Sequence, residues 1–154
     1  MERHLKSMLE NGRFTGVSAT RSHIMAAVKG KSNRSTEVAL RLAMVRAGIS
    51  GWRLHAQDIT GRPDFFFDKV GLAIFVDGCF WHGCERCGHV PKTRNEFWKA
   101  KFELNKKRDV RTNRMLRANG IQVVRFWEHA LKGPGRLGSA VSRVKRVVER
   151  RSDP

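Results

Sequence analysis

Three cysteines lie close together in the sequence and have the spacing of metal ligands. Cys79, Cys84 and Cys87 form a C-x4-C-x2-C pattern. Thiolates at this spacing can surround one tetrahedral zinc ion, which a fourth sulfur or imidazole ligand would complete. The spacing leaves the fourth ligand open among His82, His89 and His129. The alternative is a redox-active C-x2-C pair, which would require a thioredoxin-like strand-to-helix context that this pattern lacks.

Two aspartates stand at the ends of neighbouring predicted strands. Asp64 follows Arg62-Pro63 at the start of one strand, and Asp77 ends the next. If the segment DKVG between them is a hairpin turn, the two carboxylates lie near each other at one end of a sheet. Such a pair in a basic protein could hold Mg²⁺ against a phosphodiester. The alternative is that Asp64 caps a turn and Asp77 begins a loop.

A third aspartate, Asp109, lies on the inward face of a long predicted helix. The residues that share this face at 4-3-4-3-4 spacing are Trp98, Phe102, Asn105, Asp109, Thr112 and Leu116. Burying a carboxylate is unfavourable unless it has a partner. A histidine partner would form a general base, and an arginine partner would form a structural ion pair. The sequence pattern leaves both open.

The elements that must position these residues alternate between helices and strands. Predicted strands are WRLHAQ, DFFFD, LAIFVD and IQVVRFW. The first predicted helix is STEVALRLAMVRAG, with Ser35 or Thr36 as its N-cap and Gly48 at its end. A long helix is predicted from about Asn95 to Asn119, followed by Gly120. The last predicted helix is LGSAVSRVKRVVERR. A short helix is also predicted near SHIMAAVKG. The order predicts an α/β fold with a small mixed sheet.

The strongest signal in the composition is positive charge. Among 154 residues, 31 Lys and Arg stand against 14 Asp and Glu, for a net charge of +17. Such a surplus favours a polyanionic partner such as nucleic acid, the alternative being a basic protein of ribosomal type. No apolar run reaches the roughly 18 residues of a membrane span. Clustered cysteines without a visible secretory signal predict a cytoplasmic protein.

Several motifs, in this order, resemble the Vsr family of very-short-patch repair endonucleases. They are GRPDF, GCFWH, P-x-T-R-x-EFW and WE-x-AL, and the resemblance runs from about Val17 to Leu131. It implies a restriction-endonuclease-like mixed β-sheet flanked by helices, with a structural zinc loop. The expected division is a basic N-terminal arm over 1–24, a Vsr-like endonuclease domain over 25–150 and a tail over 151–154.

The same resemblance implies an activity and the residues that perform it. Vsr proteins use Mg²⁺ to nick one DNA strand 5′ to the thymine of a T:G mismatch, which arises by deamination of 5-methylcytosine. By match, Asp64 and the backbone carbonyl of Val76 would bind Mg²⁺. His82 would be the general base, Asp109 its carboxylate partner, and Glu37 would assist the cation through water.

Two positions depart from the best-known family members. Asp77 stands where those members have a histidine near the scissile phosphate, so it would act in catalysis and could become a direct metal ligand. The lysine that related nucleases place two residues later is replaced by Cys79, which again favours His82 as the base. With His82 assigned to catalysis, the structural zinc would be bound by Cys79, Cys84, Cys87 and His129. His129 replaces a family cysteine, and His89 is the alternative.

The resemblance also implies how a mismatch is recognised. Phe80, Trp81 and Trp98 would wedge into the duplex, with Met25 as a further wedge from the other groove. The alternative for the aromatic residues is packing in the core. The implied partners are double-stranded DNA that contains a mismatch and a MutL-type repair protein, and we expect a monomer associated with the bacterial nucleoid. Competing hypotheses are a same-fold nuclease with other mismatch or restriction-type targeting, and a zinc-stabilised DNA-binding protein without catalysis.

Overall fold

The computed structural model describes Ser7 and residues 35–152. Met25, the expected arm over 1–24 and the predicted helix near SHIMAAVKG lie outside the described residues. In the described part of the chain, none of the helices combines the length and the apolar character that a membrane span requires.

Four strands form one mixed sheet. They are β1 (Trp52–Leu54), β2 (Phe65–Phe67), β3 (Leu72–Asp77) and β4 (Gln122–Trp127). Their order in the sheet is β1-β2-β3-β4; the first two pairings are antiparallel and the pairing of β3 with β4 is parallel. A parallel pair needs a long crossover connection. Here it contains the cysteine-bearing loop over residues 79–88, called the zinc loop below, and the long helix. The predicted mixed sheet is confirmed.

Within residues 35–152, three α-helices accompany the sheet. Helix α1 covers residues 35–46, α2 is Asn95–Ala118 and α3 is Pro134–Ser152. A 3-10 turn, Glu128–Leu131, joins β4 to α3. The glycines predicted to end the first two helices, Gly48 and Gly120, have φ values of +71° and +73°, the left-handed conformation that glycine adopts at low cost after a helix.

The two faces of the sheet bury different helices. One core joins α1 and α3 to the sheet, and its fully covered members include Leu40, Met44, Phe65, Leu72, Ile74 and Val144. A smaller cluster on the other face contains Phe66, Ala73, Phe75 and Leu116 of α2. The predicted inward stripe of α2 is confirmed, because Phe102, Asn105 and Leu116 are its buried residues.

The sheet brings the carboxyl-bearing segments to one end. The β2–β3 hairpin pairs Phe65 with Ile74, which places Asp64 beside the last residues of β3. The parallel register of β3 and β4 pairs Phe75 with Arg125 and Asp77 with Trp127. Residues far apart in the sequence therefore meet at the carboxyl end of β3.

Candidate functional site

The three cysteines and one histidine converge on a single point. The Nδ1 atom of His129 lies 3.2, 3.5 and 3.3 Å from the Sγ atoms of Cys79, Cys84 and Cys87, and the last two sulfurs are 3.6 Å apart. Around a tetrahedral zinc, the usual bond lengths put sulfurs about 3.8 Å from one another and about 3.5 Å from nitrogen. The Cys3His cluster therefore has the composition and the size of a structural zinc site.

The surroundings of the cluster affect the ionisation of its thiols. Burial raises the pKa of the Cys79 thiol, so a thiolate there requires a nearby positive charge. Burial also opposes ionisation of Cys84, but hydrogen bonds from the backbone of Cys87 and Arg86 lower its pKa overall. The buried Glu128 of the 3-10 turn accepts a long hydrogen bond, 3.4 Å, from the backbone N–H of Cys79.

Close backbone packing shapes the zinc loop. A Cβ atom at Gly88 would lie 2.4 Å from the carbonyl oxygen of Cys84, so only glycine fits this position. The buried Asn105 of α2 donates a hydrogen bond of 2.7 Å from Nδ2 to the carbonyl oxygen of Trp81. The loop is thus held at one side by its cysteines and at the other by α2.

His82 of the zinc loop pairs with Asp109 of α2. The Nδ1 of His82 lies 2.6 Å from Oδ2 of Asp109. Burial opposes ionisation of Asp109, but the hydrogen bond with His82 and the charge of Arg125 lower its pKa overall. An ionised carboxylate only accepts hydrogen bonds, so Nδ1 of His82 carries the proton and Nε2 has the free lone pair. This pair has the arrangement of an oriented general base.

Arg125 connects Asp109 to Asp77. Its Nε and Nη2 donate to the two carboxylate oxygens of Asp77 at 2.7 and 2.8 Å, and Nη2 lies 3.1 Å from Oδ1 of Asp109. Its Nη1 donates to Oδ1 of Asn113 at 3.0 Å. Both partner types considered for Asp109, histidine and arginine, are therefore present. Arg125 was not singled out in the sequence, although a charged residue inside the apolar run IQVVRFW was a usable signal.

Asp64 and Asp77 meet as the hairpin predicted, but their surroundings differ. The backbone N–H of Val76 donates to Oδ2 of Asp64 at 2.6 Å. Burial raises the pKa of Asp64 to about 6, and the charges of Glu37 and Asp77 act in the same direction. Asp77 instead has both carboxylate oxygens on Arg125, and one of them lies 3.7 Å from Nδ1 of His82.

The groups gathered around Asp64 are Glu37 and His55. One ligand atom from each of the three residues lies within 4.8 Å of the others. Glu37 lies in the first turn of α1, and its Oε1 is 3.1 Å from Nε2 of His55. Two carboxylates and one imidazole form a donor set that fits a divalent cation. His55 was not recognised as a site residue from the sequence, where it resembled an ordinary residue of a short strand.

The aromatic residues proposed as a wedge form one cluster between the zinc loop and α2. The ring centroid of Phe80 lies 5.0 Å from that of Trp81, 5.1 Å from Trp98 and 5.5 Å from Phe102. Phe102 is buried, whereas Phe80, Trp81 and Trp98 are half-buried. The cluster packs against the protein and also presents aromatic surface to solvent. Met25 lies outside the described residues.

Comparisons with known proteins place the chain among DNA endonucleases. A family model described as DNA mismatch endonuclease Vsr matches residues 15–88. The chain is 41% identical over 122 residues to the DNA mismatch endonuclease Vsr of Escherichia coli K12, and the aligned region covers 77% of this chain and 76% of the relative. It is 37% identical over 131 residues to the type II nicking enzyme V.XorIIP of Xanthomonas oryzae pv. oryzae, and this alignment covers 84% of this chain and 92% of the relative. The type II nicking enzyme V.NmeDIP of Neisseria meningitidis serogroup C is 40% identical over 111 residues, covering 71% and 74%.

Proposed function

The chain belongs to the Vsr DNA mismatch endonuclease family, and from this premise we propose that this DNA endonuclease nicks one strand 5′ to the thymine of a T:G mismatch. The names of its relatives support both parts of the proposal. One relative is a mismatch endonuclease, and others are nicking enzymes, which supports cleavage of a single strand. The activity would initiate very short patch repair of deaminated 5-methylcytosine.

The observation that carries the proposal is the meeting of an acid–base pair with a carboxylate site at the end of β3. Asp64 bonds to the backbone of Val76, and the next residue, Asp77, lies beside His82. The His82–Asp109 pair and the Glu37–His55–Asp64 group therefore flank one short stretch of backbone. A zinc-stabilised DNA-binding protein without catalysis would have no use for this combination.

The carboxylate site is the proposed position of the catalytic Mg²⁺. Asp64 would bind it, together with the backbone carbonyl of Val76, and Glu37 would hold water in its hydration shell. Bound there, the cation would stabilise negative charge on the phosphate oxygens and make an attacking water more acidic. Asp64 must be ionised for this role, so burial, which raises its pKa, makes cation binding and proton loss mutually dependent.

The proton of the attacking water would pass to Nε2 of His82. Asp109 fixes the tautomer that leaves Nε2 able to accept it and stabilises the imidazolium that results. We place Asp77 in a supporting role, because Arg125 occupies both of its carboxylate oxygens. Through Arg125, Asp77 would hold Asp109 in position.

The aromatic cluster would sense the mismatch. A T:G wobble pair stacks less well than a normal pair, so opening the duplex there costs less, and aromatic faces recover part of the lost stacking. Phe80, Trp81 and Trp98 are half-buried beside the loop that carries His82, which supports recognition and cleavage by one element. The resemblance to the family further supports action as a monomer and a MutL-type repair protein as partner.

The decisive experiment uses end-labelled duplexes with Mg²⁺ that are identical except for a central T:G, U:G or T:A pair. Each strand is labelled separately and the flanking sequence is varied. We expect a nick 5′ to the mispaired thymine and an intact T:A duplex, and Asp64→Ala should abolish the nick but retain DNA binding. Equal cutting of the T:A control would show a nuclease with other targeting, and binding without cutting in Mg²⁺ or Mn²⁺ would refute the enzymatic proposal.

A further inference from the structure

An imidazole stands beside the two carboxylates of the proposed cation site. Nε2 of His55 is 3.1 Å from Oε1 of Glu37, and the ligand atoms of Glu37, His55 and Asp64 all lie within 4.8 Å of one another. The three residues come from separate places: the first turn of α1, the residue after β1 and the residue before β2. The tertiary fold, and not local sequence, assembles this group.

The backbone holds His55 in an uncommon conformation next to Asp64. The N–H of His55 donates to the carbonyl oxygen of Asp64 at 3.1 Å, which extends the β1–β2 pairing by one step. His55 then turns into the left-handed region with φ +48°, a conformation that is unfavourable for a residue other than glycine. The side chain is 59% exposed, whereas that of Glu37 is 17% exposed, so the imidazole lies on the side of the group that is open to solvent.

The charges in the group favour a cation. The carboxylates of Glu37 and Asp64 lie within 4.8 Å of each other and of the His55 imidazole. Two carboxylates this close repel each other unless a positive charge lies between them. A divalent cation would bind both carboxylates and could also accept the lone pair of a neutral imidazole nitrogen.

The choice of donor atoms bears on which cation binds. Sites made only of oxygen suit Mg²⁺, which demands a nearly ideal octahedral shell and keeps much of its water. An imidazole nitrogen adds affinity for divalent transition metals more than for Mg²⁺. We propose that His55 is a nitrogen ligand of the catalytic cation site and makes this site bind Mn²⁺ more tightly than Mg²⁺. This inference rests on the proposed function in that it concerns the same site.

The test measures cation binding directly on the zinc-loaded full chain without DNA. Mn²⁺ binding is followed by electron paramagnetic resonance and calorimetry, and Mg²⁺ binding by competition. We expect wild-type protein to bind Mn²⁺ about tenfold more tightly than Mg²⁺. His55→Gln, which retains a polar group next to Glu37, should weaken Mn²⁺ binding about tenfold or more and Mg²⁺ binding less than about threefold.

Two further variants control the measurement. Asp64→Asn should lose both cations from the site, which identifies the bound signal with this group. His89→Gln changes an exposed histidine that, within residues 35–152, belongs to neither the zinc cluster nor the cation group, and its Mn²⁺ affinity should equal that of wild type. Circular dichroism and zinc content confirm that each variant is folded.

The outcomes separate this inference from the proposed function. If His55→Gln leaves the ratio of Mn²⁺ to Mg²⁺ affinity unchanged, the inference is overturned. His55 would then be only an ion-pair partner of Glu37. Such a result could stand beside normal T:G nicking, which would uphold the proposed function. Conversely, a lower Mn²⁺ to Mg²⁺ affinity ratio in His55→Gln supports the inference that His55 is a nitrogen ligand. This holds even if the T:A duplex is cut as well, in which case only the proposed mismatch specificity fails.

Discussion

At the residue scale, the ionised carboxylate of Asp109 fixes the tautomer of His82. Its carboxylate lies 2.6 Å from Nδ1 of His82 and 3.1 Å from Nη2 of Arg125. Asp109→Asn keeps the size but replaces one oxygen by an amide that can donate, which allows the His82 proton to move to Nε2 and disable the base. We expect the single-turnover nicking rate to fall by about 10²–10⁴-fold.

DNA binding separates this effect from misfolding. The affinity of Asp109→Asn for an uncut T:G duplex should stay within about threefold of wild type, since the change does not touch phosphate contacts. A matched control is Asp68→Asn, an exposed aspartate paired with Arg53 at the β2–β3 turn, which should nick at the wild-type rate. Equal rates in both variants would remove Asp109 from catalysis.

The raised pKa of Asp64 implies a conflict between stability and function. The pKa of Asp64 is about 6 in the folded protein and has the ordinary value of 3.8 in the unfolded chain. Between these two pH values the folded protein therefore binds more protons at Asp64 than the unfolded chain does. The free energy of unfolding without added divalent cation therefore decreases as pH rises from about 4 to about 6. Activity should change in the opposite direction, because the proposed cation site requires ionised Asp64.

Asp64→Asn tests this reasoning, because its amide oxygen can still accept the hydrogen bond from Val76. We expect the variant to be inactive, yet more stable than wild type at pH 7.5 in urea unfolding without added Mg²⁺. At pH 4.5 the two should differ little. A variant less stable than wild type at pH 7.5 would show that the Asp64 carboxylate is not destabilised by its burial.

Arg125 neutralises the buried Asp77 and also contacts Asp109. The guanidinium donates to both carboxylate oxygens of Asp77 and lies 3.1 Å from Asp109. Arg125→Leu should reduce the free energy of unfolding by about 3–5 kcal/mol, because it removes both of these hydrogen bonds from a buried carboxylate. The double variant Asp77→Asn with Arg125→Leu should recover part of this loss in urea unfolding. A single variant within about 1 kcal/mol of wild type would contradict the structural role.

At the scale of elements, the cysteine–histidine cluster anchors the loop that carries the proposed base and the proposed wedge. The loop from Cys79 to Gly88 carries Phe80, Trp81 and His82 and has little apolar core of its own. His129→Ala removes the one nitrogen of the cluster, and we expect loss of bound zinc and a lower unfolding temperature, measured by metal analysis and calorimetry. His82→Ala should retain one zinc while losing turnover.

His89, the alternative fourth zinc ligand, provides the control for this prediction. His89→Ala should keep its zinc, since Nδ1 of His129 is the nitrogen that lies within 3.2–3.5 Å of the three sulfurs. Unchanged zinc in His129→Ala together with lost zinc in His89→Ala would reassign the fourth ligand.

Local sequence signals explain which elements could be predicted. The DKVG turn predicted the hairpin, and with it the proximity of Asp64 to the end of β3. The 4-3-4-3-4 spacing predicted the inward face of α2 and the partly buried Asp109. The partners of His55 and Arg125 could not be predicted in this way, because they depend on long-range geometry. Arg125 reaches Asp77 through the parallel register of β3 and β4, and His55 reaches Glu37 only because α1 packs beside β1 and β2.

At the scale of the whole molecule, the fold places the site at one end of the sheet while positive charge extends along α2. Lys106 lies beside the zinc loop, where its Cε would be 3.6 Å from a Cβ at Gly83. Arg117 lies in the last turn of the same helix, near the opposite end of the sheet. If DNA lies across the site, the middle of α2 around Lys106 contacts phosphates and its last two turns do not.

Two charge-matched double variants test this placement through the salt dependence of binding. Lys106→Ala/Lys107→Ala and Arg114→Ala/Arg117→Ala each remove two exposed charges from α2. The first should flatten the slope of log K against log salt by about 1 to 2, because each lost phosphate contact removes about 0.9 from the slope on B-DNA. The second should leave the slope close to wild type. The T:G over T:A preference should survive in both, since phosphate contacts carry no base information.

Equal flattening by the two variants would mean that DNA runs along the whole helix, and a larger effect of the second would place the duplex at the other end of the sheet.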